Sequence, residues 1–67
     1  MLYRDLLLIL HNHGWRVERQ VGSHMQLRHP TRVGTVTLAA GGKLSHDVPA
    51  GTLRSVLTQA GIARRPK

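Results

Sequence analysis

The sequence contains no cysteine and no phenylalanine, and its aromatic side chains amount to one tryptophan and one tyrosine. Without cysteine there is no disulfide, no thiolate metal ligand and no cysteine nucleophile, a composition that fits a reducing cytoplasm. Acidic residues are scarce as well. Three Asp and Glu stand against ten Lys and Arg, giving a formal net charge of +7 and a sequence pI near 11.8. Long apolar runs are also missing: the longest, Leu6-Leu7-Leu8-Ile9-Leu10, is far short of the roughly 20 residues a membrane span needs. Asp5 precedes it, His11-Asn12-His13 follows, and no small-residue cleavage site appears, so it does not read as a signal peptide either. These absences predict a soluble cytoplasmic protein with no membrane partner.

What is present is enough for one domain. A chain of 67 residues buries only about 60% of the surface its unfolded form exposes, so modest stability is expected. The basic excess favours polyanionic partners, nucleic acid first among them. Part of that excess, Arg64-Arg65-Pro66-Lys67, follows the last patterned residue, which divides the chain into a domain over 1–62 and a basic tail over 63–67.

Hydropathy periodicity gives the element order. Over residues 3–13, Leu6, Ile9 and Leu10, with Leu2 or Tyr3 a turn earlier, share one helical face, and Gly14 supplies a helix stop. Leu8 falls on the opposite face with Arg4 and His11, where a charged residue would be usual. Residues 15–20 alternate, with Trp15 and Val17 on one side and Arg16 and Glu18 on the other. Gly22-Ser23 reads as a turn. Residues 24–28 alternate again, with Met25 and Leu27 inward and His24, Gln26 and Arg28 outward. Residues 30–34 carry turn punctuation, and the β-branched residues 35–38 form the next strand, with Val36 and Leu38 inward. Residues 39–48, with Gly41-Gly42 and no periodicity, read as a mobile loop. Pro49 then starts a helix with an apolar stripe of Leu53, Val56, Leu57 and Ala60, closed by Gly61 and Ile62. The expectation is an α+β fold of two layers, ordered helix-strand-strand-strand-helix, with both helices on one face of a three-stranded antiparallel sheet.

Three segments then carry a family resemblance. One is the first helix ending in Gly14-Trp15. The second is Arg19-Gln20-Val21-Gly22-Ser23-His24-Met25-Gln26-Leu27-Arg28-His29-Pro30, similar to an R-Q-x-G-S-H core. The third, Gly51-Thr52-Leu53-Arg54-Ser55-Val56-Leu57-Thr58-Gln59-Ala60-Gly61, resembles a G-T-L-x-x-I-L-x-Q-A-G helix. Together they resemble the HicA (YcfA-like) toxins over residues 2–62. The resemblance implies a topology like that of double-stranded-RNA-binding domains, an endoribonuclease activity on mRNA and a HicB antitoxin covering the active face. The sequence departs from the family in its loop: Ala39-Ala40-Gly41-Gly42 stands where many members carry a proline and a histidine, and His46, nearby, is not equated with that histidine.

RNA is cut without a metal when a base takes the proton of a 2′-hydroxyl and the oxygen attacks the adjacent phosphorus. His24 suits the base role, because an imidazole nitrogen can take up a proton and strand parity exposes this one. Ser23 is the candidate for binding substrate or fixing the turn, and Gly22 for admitting phosphate close to backbone. Arg28 shares the His24 face and Lys43 lies in the loop, both candidates for phosphate contacts. No general acid stands out. Histidine spacing argues against a metal site: His11 and His13 point apart on a helix, and His29 faces away from His24. No cofactor is expected, and the free toxin is expected to be monomeric. The alternative function is a non-catalytic RNA-binding module; a DNA-binding role is disfavoured because no helix-turn-helix pattern appears.

Overall fold

A computed structural model of the chain describes residues 1–62; the basic segment 63–67 lies outside the described residues. Helix α1 (Tyr3–Asn12) is followed by β1 (Arg16–Val21), β2 (His24–Arg28), β3 (Val36–Leu38) and helix α2 (Ala50–Gln59). The strands form one antiparallel sheet in the order β1-β2-β3. This is the α+β order expected from the periodicity.

Both helices end in the same way. At the end of α1 the Gly14 N–H donates to the His11 carbonyl at 3.0 Å and the Trp15 N–H to Leu10 at 2.9 Å; at the end of α2 the Gly61 N–H reaches Thr58 at 3.1 Å and the Ile62 N–H reaches Leu57 at 2.8 Å. These paired bonds satisfy the last carbonyls of each helix and turn an apolar residue, Trp15 or Ile62, back onto the core. At Gly14 the demand for glycine is double. Its φ is +95°, and a Cβ there would lie 2.6 Å from His29 Nε2. Gly14→Ala is expected to destabilise the fold by about 2–3 kcal/mol, read from urea unfolding. A loss below about 0.5 kcal/mol, the range of an ordinary surface change, would contradict this account of the helix end.

The core lies between the helices and one sheet face. Leu6 and Leu10 of α1, Trp15, Leu27 of β2, Val36 and Leu38 of β3 are each at most 1% exposed, and Tyr3, Ala40, Val48, Val56 and Ala60 complete the buried cluster. Met25, Leu53, Leu57 and Ile62 are half-buried against it, as is Leu7. Tyr3 rather than Leu2 takes the first core position of α1, and Ile9 is only half-buried. Strand β1 is the edge farthest from β3. All its residues are exposed, and even Val17, opposite buried Leu27, remains 48% exposed.

Two features depart from the sequence reading. The first is a β-bulge. Val17 pairs with Leu27 but Arg19 pairs with Gln26, so Glu18 is the extra residue. A bulge shifts the side-chain alternation by one. Strict alternation from Trp15 would turn Arg19 and Val21 toward the core; the bulge instead sets them opposite Gln26 and His24, on the open face.

The second is the segment after β3, read as a mobile loop and in fact bonded to α1. The Tyr3 N–H donates to the His46 carbonyl at 3.0 Å, Arg4 N–H to Leu44 at 3.1 Å, and Val48 N–H to Met1 at 2.8 Å. Leu2 and Asp47 form an isolated antiparallel bridge. The physical reason is that the first N–H groups of a helix lack internal acceptors. Leu2, at the N-cap, has no side chain able to accept from them; Asp5 covers only the Leu2 N–H, at 3.2 Å. Carbonyls of residues 44 and 46 supply the rest.

Candidate active site

His24 is positioned by the tightest connection in the chain. β1 and β2 are joined by Gly22 and Ser23 alone, with Val21 and His24 as the closing pair. Gly22 has φ +61° with nothing within 4 Å of where its Cβ would be, and Ser23 has no positive φ. Positive φ at the first position only is the II′ hairpin pattern, whose twist matches that of the strands it joins. His24 therefore opens β2, exposed, on the face away from the core.

The same face carries Gln26 and Arg28 from β2. Register adds Val21 and Arg19 from β1, opposite His24 and Gln26, and Thr37 from β3, across from Gln26. Arg16 stands opposite Arg28, with its guanidinium donating to the His11 carbonyl at 3.0 Å at the end of α1. The strands β1 and β2 thus present Arg16, Arg19 and Arg28, with Glu18 as their one acidic residue.

Arg28 is expected from its parity and found there, but engaged. Its guanidinium lies 3.6 Å from the Glu18 carboxylate, with both side chains more than half exposed. Such a surface pair is worth less than about 1 kcal/mol, so a phosphate can displace Glu18 at small cost. The other carboxylates are also accounted for: Asp5 accepts from the Leu2 N–H, and Asp47 lies 3.7 Å from the Met1 amino group. Among the described residues His24 accordingly has no carboxylate to orient its ring, unlike the histidine of a triad.

Ser23 is half-buried, and its carbonyl accepts from the Gly41 N–H at 3.0 Å. The segment after β3 is therefore brought against the turn that holds His24. Lys43 is exposed two residues farther along, its N–H on the Ala40 carbonyl at 3.0 Å.

The remaining histidines are placed by other contacts. His13 Nδ1 lies 2.9 Å from the Ile9 carbonyl. His29 packs edge-on against Trp15, ring centroids 5.2 Å apart, on the side away from His24 as parity requires. Its Nδ1 accepts from the Thr31 and Arg32 N–H groups at 3.1 and 3.2 Å, so the proton belongs on Nε2, which donates to the His13 carbonyl at 2.8 Å. His11 and His46 are exposed on α1 and on the segment after β3. Among the described residues no three His, Asp or Glu side chains gather as a metal-binding set, and no helix is long and apolar enough to cross a membrane.

Period-two reading missed Arg19 as a member of the open face and gave no role to Gln20 or Gly41. For Arg19 and Gln20 a signal existed, since they begin the R-Q-x-G-S-H pattern. For Gly41 there was none. Among curated proteins no match to the chain is found. Residues 3–62 match the family model of the HicA toxin of bacterial toxin-antitoxin systems. The match covers nearly the whole chain, including both helices and the entire hairpin, and the protein belongs to the HicA toxin family.

Proposed function

We propose that this toxin is an endoribonuclease that cleaves mRNA, with His24 as general base and without need of a metal. The observation that carries the reading is the position of His24: exposed at the mouth of a two-residue hairpin, on a sheet face that also presents arginines. The imidazole accepts the proton of a 2′-hydroxyl, O2′ attacks the adjacent phosphorus, and the P–O5′ bond breaks. The products are a 2′,3′-cyclic phosphate and a 5′-hydroxyl whose proton comes from water. Arg28 and Arg19 neutralise phosphate charge on the same face, Ser23 and Gly22 admit the backbone of the RNA beside His24, and Lys43 adds a contact from the segment after β3. Membership of a toxin-antitoxin family implies an antitoxin partner. We assign that role to a HicB-like protein that covers the open face and so excludes RNA.

Purified protein incubated with an mRNA fragment in excess chelator tests the reading, with cleavage expected. RNA bound but left intact would instead favour a non-catalytic RNA-binding module. A second expectation concerns salt. With three phosphate contacts to single-stranded RNA, from Arg19, Arg28 and Lys43, raising salt from about 50 to about 200 mM is expected to weaken binding about 20-fold through counterion release. Binding measured by fluorescence anisotropy on the His24→Ala variant, where cleavage does not interfere, checks this. Salt-insensitive binding would remove the arginines from the interface.

A further inference from the structure

We infer that Gly41 and Gln20 are positioning residues for His24, gripping the Gly22–Ser23 turn from the side opposite the open face. The inference rests on the reading of His24 as the base of an RNA-cleaving site. Gly22 stands in open space and is exposed, so nothing on its outer side holds the turn. On the other side its two carbonyls are held in succession. The Gln20 side-chain amide donates to the Gly22 carbonyl at 3.0 Å, and the Gly41 N–H donates to the Ser23 carbonyl at 3.0 Å. Gln20 is paired with Met25, whose side of the hairpin packs toward the core, while His24 opens the other way.

Contact distances make Gly41 a strut as well as a donor. A Cβ on Gly41 would lie 2.8 Å from Ser23 Cα, 2.9 Å from Gln20 Nε2 and 3.2 Å from the Gly22 carbonyl oxygen. Gly41 has no positive φ, so space alone demands glycine there. The strut cannot back away, because the preceding Ala40 is 0% exposed and belongs to the core. Nor can Ser23 swing aside, since the crowded atom is its own Cα. Added bulk at residue 41 must therefore push the backbone of Ser23, and the next residue along that backbone is His24. Catalytic geometry is sensitive on this scale: a misplacement of about 1 Å costs about 100-fold in rate.

Single-turnover cleavage of an RNA oligonucleotide, and binding of its 2′-deoxy counterpart, would be measured for wild type, Gly41→Ala, Gln20→Ala, Gly51→Ala and His24→Ala. Gly41→Ala is expected to slow cleavage about 10- to 50-fold with affinity within about 2-fold of wild type. The amide NMR signals of Ser23 and His24 shift in that variant and those of Leu27 and Val36 do not. Gln20→Ala, at an exposed position, is expected to slow cleavage about 3- to 10-fold. Gly51→Ala, in open space on α2, cleaves as wild type. Wild-type cleavage by Gly41→Ala, or a loss of cleavage matched by an equal loss of affinity, overturns the inference. If Gly41→Ala does not fold, Gln20→Ala decides, and wild-type cleavage by it has the same force. An inactive His24→Ala beside fully active Gly41→Ala and Gln20→Ala removes only the positioning role. An active His24→Ala removes the base assignment and the positioning role with it.

Discussion

Replacing His24 with alanine is expected to slow RNA cleavage about 10³-fold, within the range that a positioned general base contributes. The imidazole is exposed at the start of β2, so its truncation opens no cavity and is expected to change stability by less than about 0.5 kcal/mol. Activity and fold are thus separable at this residue. His24→Gln sharpens the comparison, because glutamine keeps a hydrogen-bonding group of similar reach and cannot take a proton at neutral pH. Both variants should bind RNA nearly as wild type does, since the phosphate contacts are assigned to Arg19, Arg28 and Lys43. A loss of less than about 10-fold, short of a base's usual contribution, would leave His24 as an ordinary exposed strand residue. Urea unfolding of the same samples confirms that the comparison is made between folded proteins.

Trp15→Ala carries the largest expected effect on stability. The indole is 1% exposed and meets three parts of the fold: its own backbone closes the end of α1 through the bond to Leu10, its ring faces the edge of His29, and its Nε1–H donates to the Ala60 carbonyl at the end of α2 at 3.3 Å. Truncating a buried tryptophan costs about 3–5 kcal/mol. For a chain this size total stability is of order 3–10 kcal/mol. The variant is therefore expected to be largely unfolded at 37 °C by circular dichroism, and cleavage is lost with the fold. Trp15→Phe keeps most of the volume but leaves the Ala60 carbonyl without its donor, for an expected loss of about 1–2 kcal/mol. A cooperative transition of Trp15→Ala within about 1 kcal/mol of wild type would mean that α1 and α2 are not joined through this side chain.

The part of the site legible in the sequence is the part written in side chains. Met25 and Leu27 alternate with His24, Gln26 and Arg28, so apolar residues mark the core face and the exposure of His24 follows. The helix stops were equally visible, because Gly14-Trp15 and Gly61-Ile62 each join a glycine to an apolar residue that returns to the core. The bulge at Glu18 was not. Strand β1 lies at the edge, all its residues exposed, and its two valines are too few to reveal a change of phase. With the bulge unseen, Arg19 could not be assigned to the His24 face. The segment after β3 was illegible for a different reason. It acts through backbone carbonyls on α1 and through the N–H of Gly41 on Ser23, and main-chain groups leave no trace in residue type. A Gly-Gly pair reads as freedom, whereas Gly41 is glycine because another backbone lies against it. The enzyme assignment came from the family pattern, since parity alone yields an exposed histidine on a basic sheet and no reaction.

RNA cleavage by this toxin, as proposed, proceeds by activation of the substrate's own 2′-hydroxyl. Its most direct test uses an mRNA fragment mapped for its cleavage position and a copy with a single 2′-deoxy nucleotide on the 5′ side of that bond, both in excess chelator. The first is expected to be cut to a 2′,3′-cyclic phosphate and a 5′-hydroxyl while the substituted bond stays intact. Cleavage of the substituted bond at the same rate, or cleavage that disappears with the chelator, would contradict it.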